Sequence, residues 1–256
     1  MEPDDDLLAE LAELAAELAF QAGDLLLEGW RGSDHVVTTK STPTDMVSDR
    51  DKASEDLLVE GILRVRPNDG ILGEEGTQRP GSTGVRWILD PLDGTVNYLY
   101  GLPDWCVSVA AEVDGEVAVG IVVAPSRQEA FAAIIGRGAF RNDEPIHCSA
   151  VTDPTLALVA TGFAYDIAVR RRQGEIVGAL VGRIRDIRRF GAAALDLCHV
   201  ADGTVDGYFE RGPKDWDVAA GGLIAREAGA RTRWDADFVA AANPVLLTAL
   251  EELGIE

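Results

Sequence analysis

Residues 87–98 read Trp-Ile-Leu-Asp-Pro-Leu-Asp-Gly-Thr-Val-Asn-Tyr, an apolar strand that delivers two aspartates at its C-terminal end. Pro91 fixes φ and Gly94 permits a sharp turn, so the strand must stop here with Asp90 and Asp93 kept at its rim. Other segments can aim at the same point. Ile71-Leu72 ends in Gly73-Glu74-Glu75-Gly76, Trp216-Asp217 opens a helical stretch, and Thr44-Asp45 precedes another. Carboxylates ~4 Å apart repel by roughly 4 kcal/mol at an effective dielectric of ~20, so such a gathering needs cations. All-oxygen ligands suit Mg²⁺, with Ca²⁺ and Mn²⁺ as chemical alternatives. Taken singly, each motif has a plainer reading: Asp-Gly as a turn, Glu74-Glu75 as a solvated pair, Asp217 as a helix N-cap.

The rest of the composition narrows the chemistry. In 256 residues, 23 Lys and Arg stand against 44 Asp and Glu, and the net charge of -21 opposes binding to nucleic acid or an anionic membrane. Cys106, Cys148 and Cys198 form no CxxC pair, which argues against a thiolate zinc site or a disulfide framework and fits a reducing cytoplasm. The N-terminus is acidic where a signal peptide is positive, and no apolar run approaches the ~18 residues of a membrane span. With only His35, His147 and His199 available and no GxSxG turn, a histidine-based hydrolase has little to build on.

Hydrophobic periodicity predicts a long amphipathic helix from Leu7 to Leu26 and a second after Ser48-x-x-Asp51, a capping-box pattern, with Pro67 as its stop. Gly29 to Pro43 reads as an irregular or strand-like excursion. Strands follow at 86–90, 107–113, 116–123, 129–135 and 139–142, with Asp114-Gly115 as a hairpin turn. From about residue 156, strands at 158–161, 186–190, 207–210 and 238–242 alternate with helices at 168–181, 192–201 and 217–228. Two halves are expected, 1–150 with two helices and a large antiparallel sheet, and 151–256 with a smaller mixed sheet flanked by helices, joined as one compact unit.

DPxDGT from Asp90, GEE at Gly73 to Glu75 and WDxAAG from Trp216 occur in one order. With them stand Lys40 to Asp45, Gly138-Ala139-Phe140 and Gly191 to Asp196. In these stretches the chain resembles the inositol monophosphatase family of magnesium-dependent, lithium-sensitive phosphatases, from about Lys40 to Ala242. The resemblance implies an αβαβα sandwich of the inositol monophosphatase and fructose-1,6-bisphosphatase type, two or three Mg²⁺ ions, and hydrolysis of a small phosphorylated polyol, in the first place myo-inositol monophosphate. It implies metal ligands at Glu74, Asp90, the Leu92 carbonyl, Asp93 and Asp217. Catalytic roles fall on Asp45, Thr95 and Glu74, and substrate contacts on Asp93, the Gly94 and Thr95 amides, the Ala193 backbone and Glu210. It also implies a homodimer.

Related phosphatases act on fructose bisphosphate, nucleotides or histidinol phosphate, and some bacterial relatives bind transcription machinery, which makes a regulatory protein-binding role the non-enzymatic alternative. A bisphosphate substrate would need an added basic subsite, and the sequence shows none. The family often has Thr or Ser where this chain has Ala192, no serine of the substrate loop is evident in Gly162 to Asp166, and Lys214-Asp215 finds no place in the pattern.

Overall fold

The protein is described by a computed structural model over residues 4–31, 37–39, 46–235 and 237–256, the side chains of Met46 and Val47 excepted. Helix α1 (Asp5–Gly29) is capped by the Asp4 carboxylate, and α2 (Asp49–Val65) by a capping box in which Ser48 and Asp51 bond reciprocally. The short strands β1 (Val37–Thr39) and β2 (Met46–Ser48) pair antiparallel before α2. An eight-stranded sheet then forms from β3 (Gly70–Gly73), β4 (Gln78–Arg79), β5 (Val85–Asp93), β6 (Cys106–Val113), β7 (Glu116–Ala124), β8 (Glu129–Ile134), β9 (Ala139–Arg141) and β10 (Glu144–Ile146), in the order β10-β9-β8-β7-β6-β5-β3-β4. It is antiparallel apart from the parallel β3–β5 pair. Asp114 and Gly115 both take positive φ, 51° and 91°, in the tight turn between β6 and β7 that the sequence predicts.

The five-stranded sheet is mixed, in the order β12-β11-β13-β15-β14: β11 (Leu158–Thr161), β12 (Asp186–Arg188), β13 (Gly207–Arg211), β14 (Arg231–Asp235) and β15 (Phe238–Ala242). Around the sheets run α3 (Thr95–Leu99), α4 (Ile167–Leu180), α5 (Ala193–Ala201), α6 (Asp215–Glu227) and α7 (Pro244–Leu253). Strand β14 and helix α7 lie beyond the elements read from the sequence, although Asn243 caps α7 with Pro244 at its first turn.

Strand alternation sorts the apolar residues into three cores and so into five layers. Trp87, Leu89, Val107 and Val109 face α1 and α2, whereas Ile88, Cys106, Ala110 and Phe131 face α5 and α6. In the second sheet Ala160, Tyr208, Val239 and Ala241 meet that same middle helical layer, and Val159, Phe209, Phe238 and Ala240 pack beneath α4 and α7. The result is the expected αβαβα sandwich. No helix among the described residues is long and apolar enough to cross a membrane.

Candidate active site

Strand alternation alone would send Asp90 and Asp93 to opposite faces, because they are three residues apart. The register with β6 changes between them: Asp90 pairs Ser108 and Asp93 pairs Cys106, so β5 carries one extra residue and both acids reach the same rim. The bulge is pinned from two sides. Asp90 Oδ1 accepts the Leu92 N–H at 3.0 Å, and the Ser54 hydroxyl of α2 donates to the Pro91 carbonyl at 2.8 Å. Gly94 follows at φ 87°, and a Cβ there would lie 2.7 Å from the Asp104 carbonyl, so only glycine fits between the bulge and α3.

Asp217 arrives on α6, where its carboxylate accepts the Lys214 N–H at 2.5 Å, placing it in the third helical position and not at the N-cap. Carboxylate oxygens of Asp90, Asp93 and Asp217 lie within 4.8 Å of one another. Glu74 sits in the turn after β3, its N–H bonded to the Leu89 carbonyl at 3.2 Å. Glu55 of α2 holds that turn by accepting the N–H groups of Glu75 at 2.7 Å and Thr77 at 3.0 Å, in space that a Cβ on Gly73 would fill.

Ala192, at the N-cap of α5, has no side chain to satisfy the free N–H groups of the first turn. Asp93 does so from across the fold, accepting the Ala194 N–H at 2.7 Å, with the Ala193 N–H as a further donor. Burial nevertheless pushes the Asp93 carboxyl up to about 7, against the pull of those amides and with help from the charges of Glu74 and Glu210. Asp90 and Asp217 are also raised, by burial first and then by the neighbouring acids. Glu210, on β13, is lifted to about 6 by burial, although the Tyr208 hydroxyl donates to it at 2.8 Å.

Glu74, Asp90, Leu92, Asp93, Gly94, Thr95, Ala193, Glu210 and Asp217 all line one cavity of about 400 Å³. Asp45 lies outside the described residues. Thr95 instead shows a different partner: its hydroxyl donates to Asp51 Oδ1 at 2.8 Å and lies 3.1 Å from the Leu92 carbonyl. Asp51 is fully buried, and its other oxygen takes both the Ser48 N–H and hydroxyl. The sequence reading missed Asp51 at the site because the capping box already accounted for it. It also missed a basic component, since Arg189 and Lys214 line this cavity. Lys214 and Asp215 separate across the start of α6, Asp215 lining a second cavity with Trp234.

A buried cluster of acids at the bulged end of a strand, in an αβαβα sandwich, defines a class of metal-assisted hydrolases. A match to the inositol monophosphatase family spans residues 7–252. The inositol-1-monophosphatase SuhB of Mycobacterium tuberculosis is 42% identical over 84% of this chain and 78% of its own length. A Pasteurella multocida relative described as Nus factor SuhB is 40% identical over 86% and 83%. The crystal structure of the extragenic suppressor protein SuhB from Bartonella henselae superposes with a TM-score of 0.90 at 32% identity, covering 94% of this chain and 96% of that one. The chain belongs to the inositol monophosphatase family and is by that membership a phosphatase.

Proposed function

We propose that the protein is a Mg²⁺-dependent phosphomonoesterase acting on myo-inositol monophosphate. The observation that carries this reading is the convergence of Asp90, Asp93 and Asp217 within 4.8 Å, all with carboxyls raised by burial and by neighbouring acids. Such a set is strained without a cation, and its hard, all-oxygen donors fit a divalent one. Glu74, Asp90, Asp93, Asp217 and the Leu92 carbonyl would hold the ion, which when bound supplies Lewis acidity toward water and the phosphoryl oxygens.

The chain's own groups account for the remaining tasks. Thr95 has a single hydroxyl proton, and donating it to Asp51 leaves its lone pairs free to accept a hydrogen bond from an attacking water. Asp51 thereby positions Thr95, and Asp45 is the further acid that the family pattern assigns to this water. The Gly94 and Thr95 amides would take the phosphate oxygens, as the family pattern assigns. Glu210, bonded by the Tyr208 hydroxyl, accepts a polyol hydroxyl, and Asp93 with the Ala193 backbone lines the same cavity.

The test is phosphate release from myo-inositol monophosphate with and without Mg²⁺. Activity should disappear in excess EDTA, return on adding Mg²⁺, and fall with millimolar Li⁺. Full turnover in EDTA would overturn the reading.

A further inference from the structure

The ladder between β11 and β13 ends at Thr161 and Phe209. Beyond that pair both chains run along the cavity, Phe163, Ala164 and Tyr165 after β11, and Glu210, Gly212 and Pro213 from the end of β13. One buried side chain bridges them. Gln173 of α4, only 4% exposed, accepts the Ala164 N–H through Oε1 at 2.9 Å and donates from Nε2 to the Arg211 carbonyl at 2.9 Å. These partners settle the orientation of the amide, because a backbone N–H only donates and a carbonyl only accepts. The amide thus stands in for the next rung of the sheet. Arg170 Nε donates to the Ala164 carbonyl at 3.0 Å, so α4 holds both backbone groups of that residue. A Cβ on Gly212 would lie 3.3 Å from the Ala164 Cβ, which puts the two segments in contact, and the Glu210 carboxylate fills the space that a Cβ on Gly162 would take. The buried face of α4 is Gln173, Ile176 and Leu180, of which the two apolar members share a core with Val159 and Phe209. A polar residue on such a stripe is costly unless its bonds are met, and Gln173 meets both on segments of the cavity.

We propose that Gln173 is a positioning residue for substrate recognition, whose amide sets the spacing between residues 162–165 and 210–213 and with it the place of Glu210. This role rests on the phosphatase reading above and names what fixes the polyol side of that site. Gln173 does not itself line the cavity and acts through Ala164 and Arg211. Asp90, Asp93 and Asp217 are held by other means, the β5 bulge, the Ala194 amide and the Lys214 amide. A change at Gln173 should therefore move substrate affinity and leave metal affinity in place.

The experiment uses Gln173→Met, which keeps an unbranched side chain of similar length and removes both hydrogen bonds. Phosphate release is measured from the full chain across a Mg²⁺ titration, with myo-inositol monophosphate and with glycerol 2-phosphate, whose three carbons offer less to the Glu210 wall. KM for inositol monophosphate should rise roughly tenfold, with kcat and the half-maximal Mg²⁺ concentration within about twofold of wild type. KM for glycerol 2-phosphate should change by less than about threefold. Hydrogen exchange gives a reading that needs no variant: the Ala164 amide should be protected in the wild type, and Gln173→Met should remove that protection. Rapid exchange at Ala164 in the wild type overturns the bridge. An equal rise in KM for both substrates, or a lower melting temperature with both KM values unchanged, makes Gln173 a structural residue and overturns the inference. A raised Mg²⁺ requirement at unchanged KM does the same. All of these leave the phosphatase reading standing, whereas absence of phosphate release by the wild type from both substrates overturns that reading and this role with it.

Discussion

Asp51 shows how one side chain serves stability and chemistry together. One carboxylate oxygen closes the capping box of α2, and the other takes the Thr95 hydroxyl at 2.8 Å. Burial raises its carboxyl, while the bonds from Ser48 and Thr95 favour the ionised form. Asp51→Asn keeps the size and an acceptor for the Ser48 amide but gives Thr95 a weaker, uncharged partner. We expect kcat to fall roughly 10- to 100-fold, as for removal of other groups that orient a reactive centre, with KM and melting temperature nearly unchanged. A loss confined to melting temperature would make Asp51 a capping residue alone. Asp93→Asn keeps a carbonyl for the Ala194 amide, so α5 stays capped, but it removes a charge from the cluster. The expected result is a similar or larger loss of kcat with a higher Mg²⁺ requirement, read from a metal titration at saturating substrate. An unchanged Mg²⁺ requirement would remove Asp93 from the ligand set.

At the scale of elements, periodicity was enough to place α1, α2 and the strands from β5 to β9 within about three residues, because their apolar spacing follows directly from which face is buried. It could not show the bulge in β5, which depends on pairing with β6, nor Arg189, a charged residue that only the tertiary fold turns toward the acidic cavity. Strand β14 was missed because Arg231 to Asp235 is mostly polar on a sheet edge. The small residues after Trp216 were legible as a motif, and the structure gives their reason. A Cβ on Gly120 of β7 would lie 2.8 Å from the Ala220 carbonyl, and one on Gly221 would lie 2.7 Å from the Ala194 carbonyl. Helix α6 is thus wedged against the large sheet and α5 with backbone on its contact faces, and that fit sets the position of Asp217. Gly120→Val should cost about 1–3 kcal/mol of stability and also lower activity by shifting α6. The paired readout is urea denaturation with a Mg²⁺ titration. A stability loss at unaltered Mg²⁺ dependence would mean that α6 tolerates the shift without moving Asp217.

Across the whole molecule, the first sheet and the middle helices are tied by one buried acid. Glu129 of β8 accepts from Arg127 at 2.9 Å and from Arg141 at 2.7 Å. Arg141 reaches on to Asp202 at the end of α5, and Arg127 to Asp104, whose carbonyl takes the Asn97 side-chain amide. That amide also donates to the Phe190 carbonyl, just before Gly191, so the network ends on the turn that carries the cavity wall. Burial alone would raise the Glu129 carboxyl, but its cationic surroundings lower it from an ordinary 4.5 to about 2. The His199 Nε2, at 3.8 Å, is too distant for a hydrogen bond, so the two guanidiniums carry the pairing. A carboxyl depressed by folding contributes stability that is present above 4.5 and is lost as pH falls toward 2, because the unfolded chain then binds the proton first. Glu129→Gln should therefore unfold at lower urea concentration than wild type at pH 7, and the gap should narrow steadily as pH falls below 4.5. A gap that stays constant from pH 7 to pH 3 would assign the loss to packing and not to the ionised carboxylate.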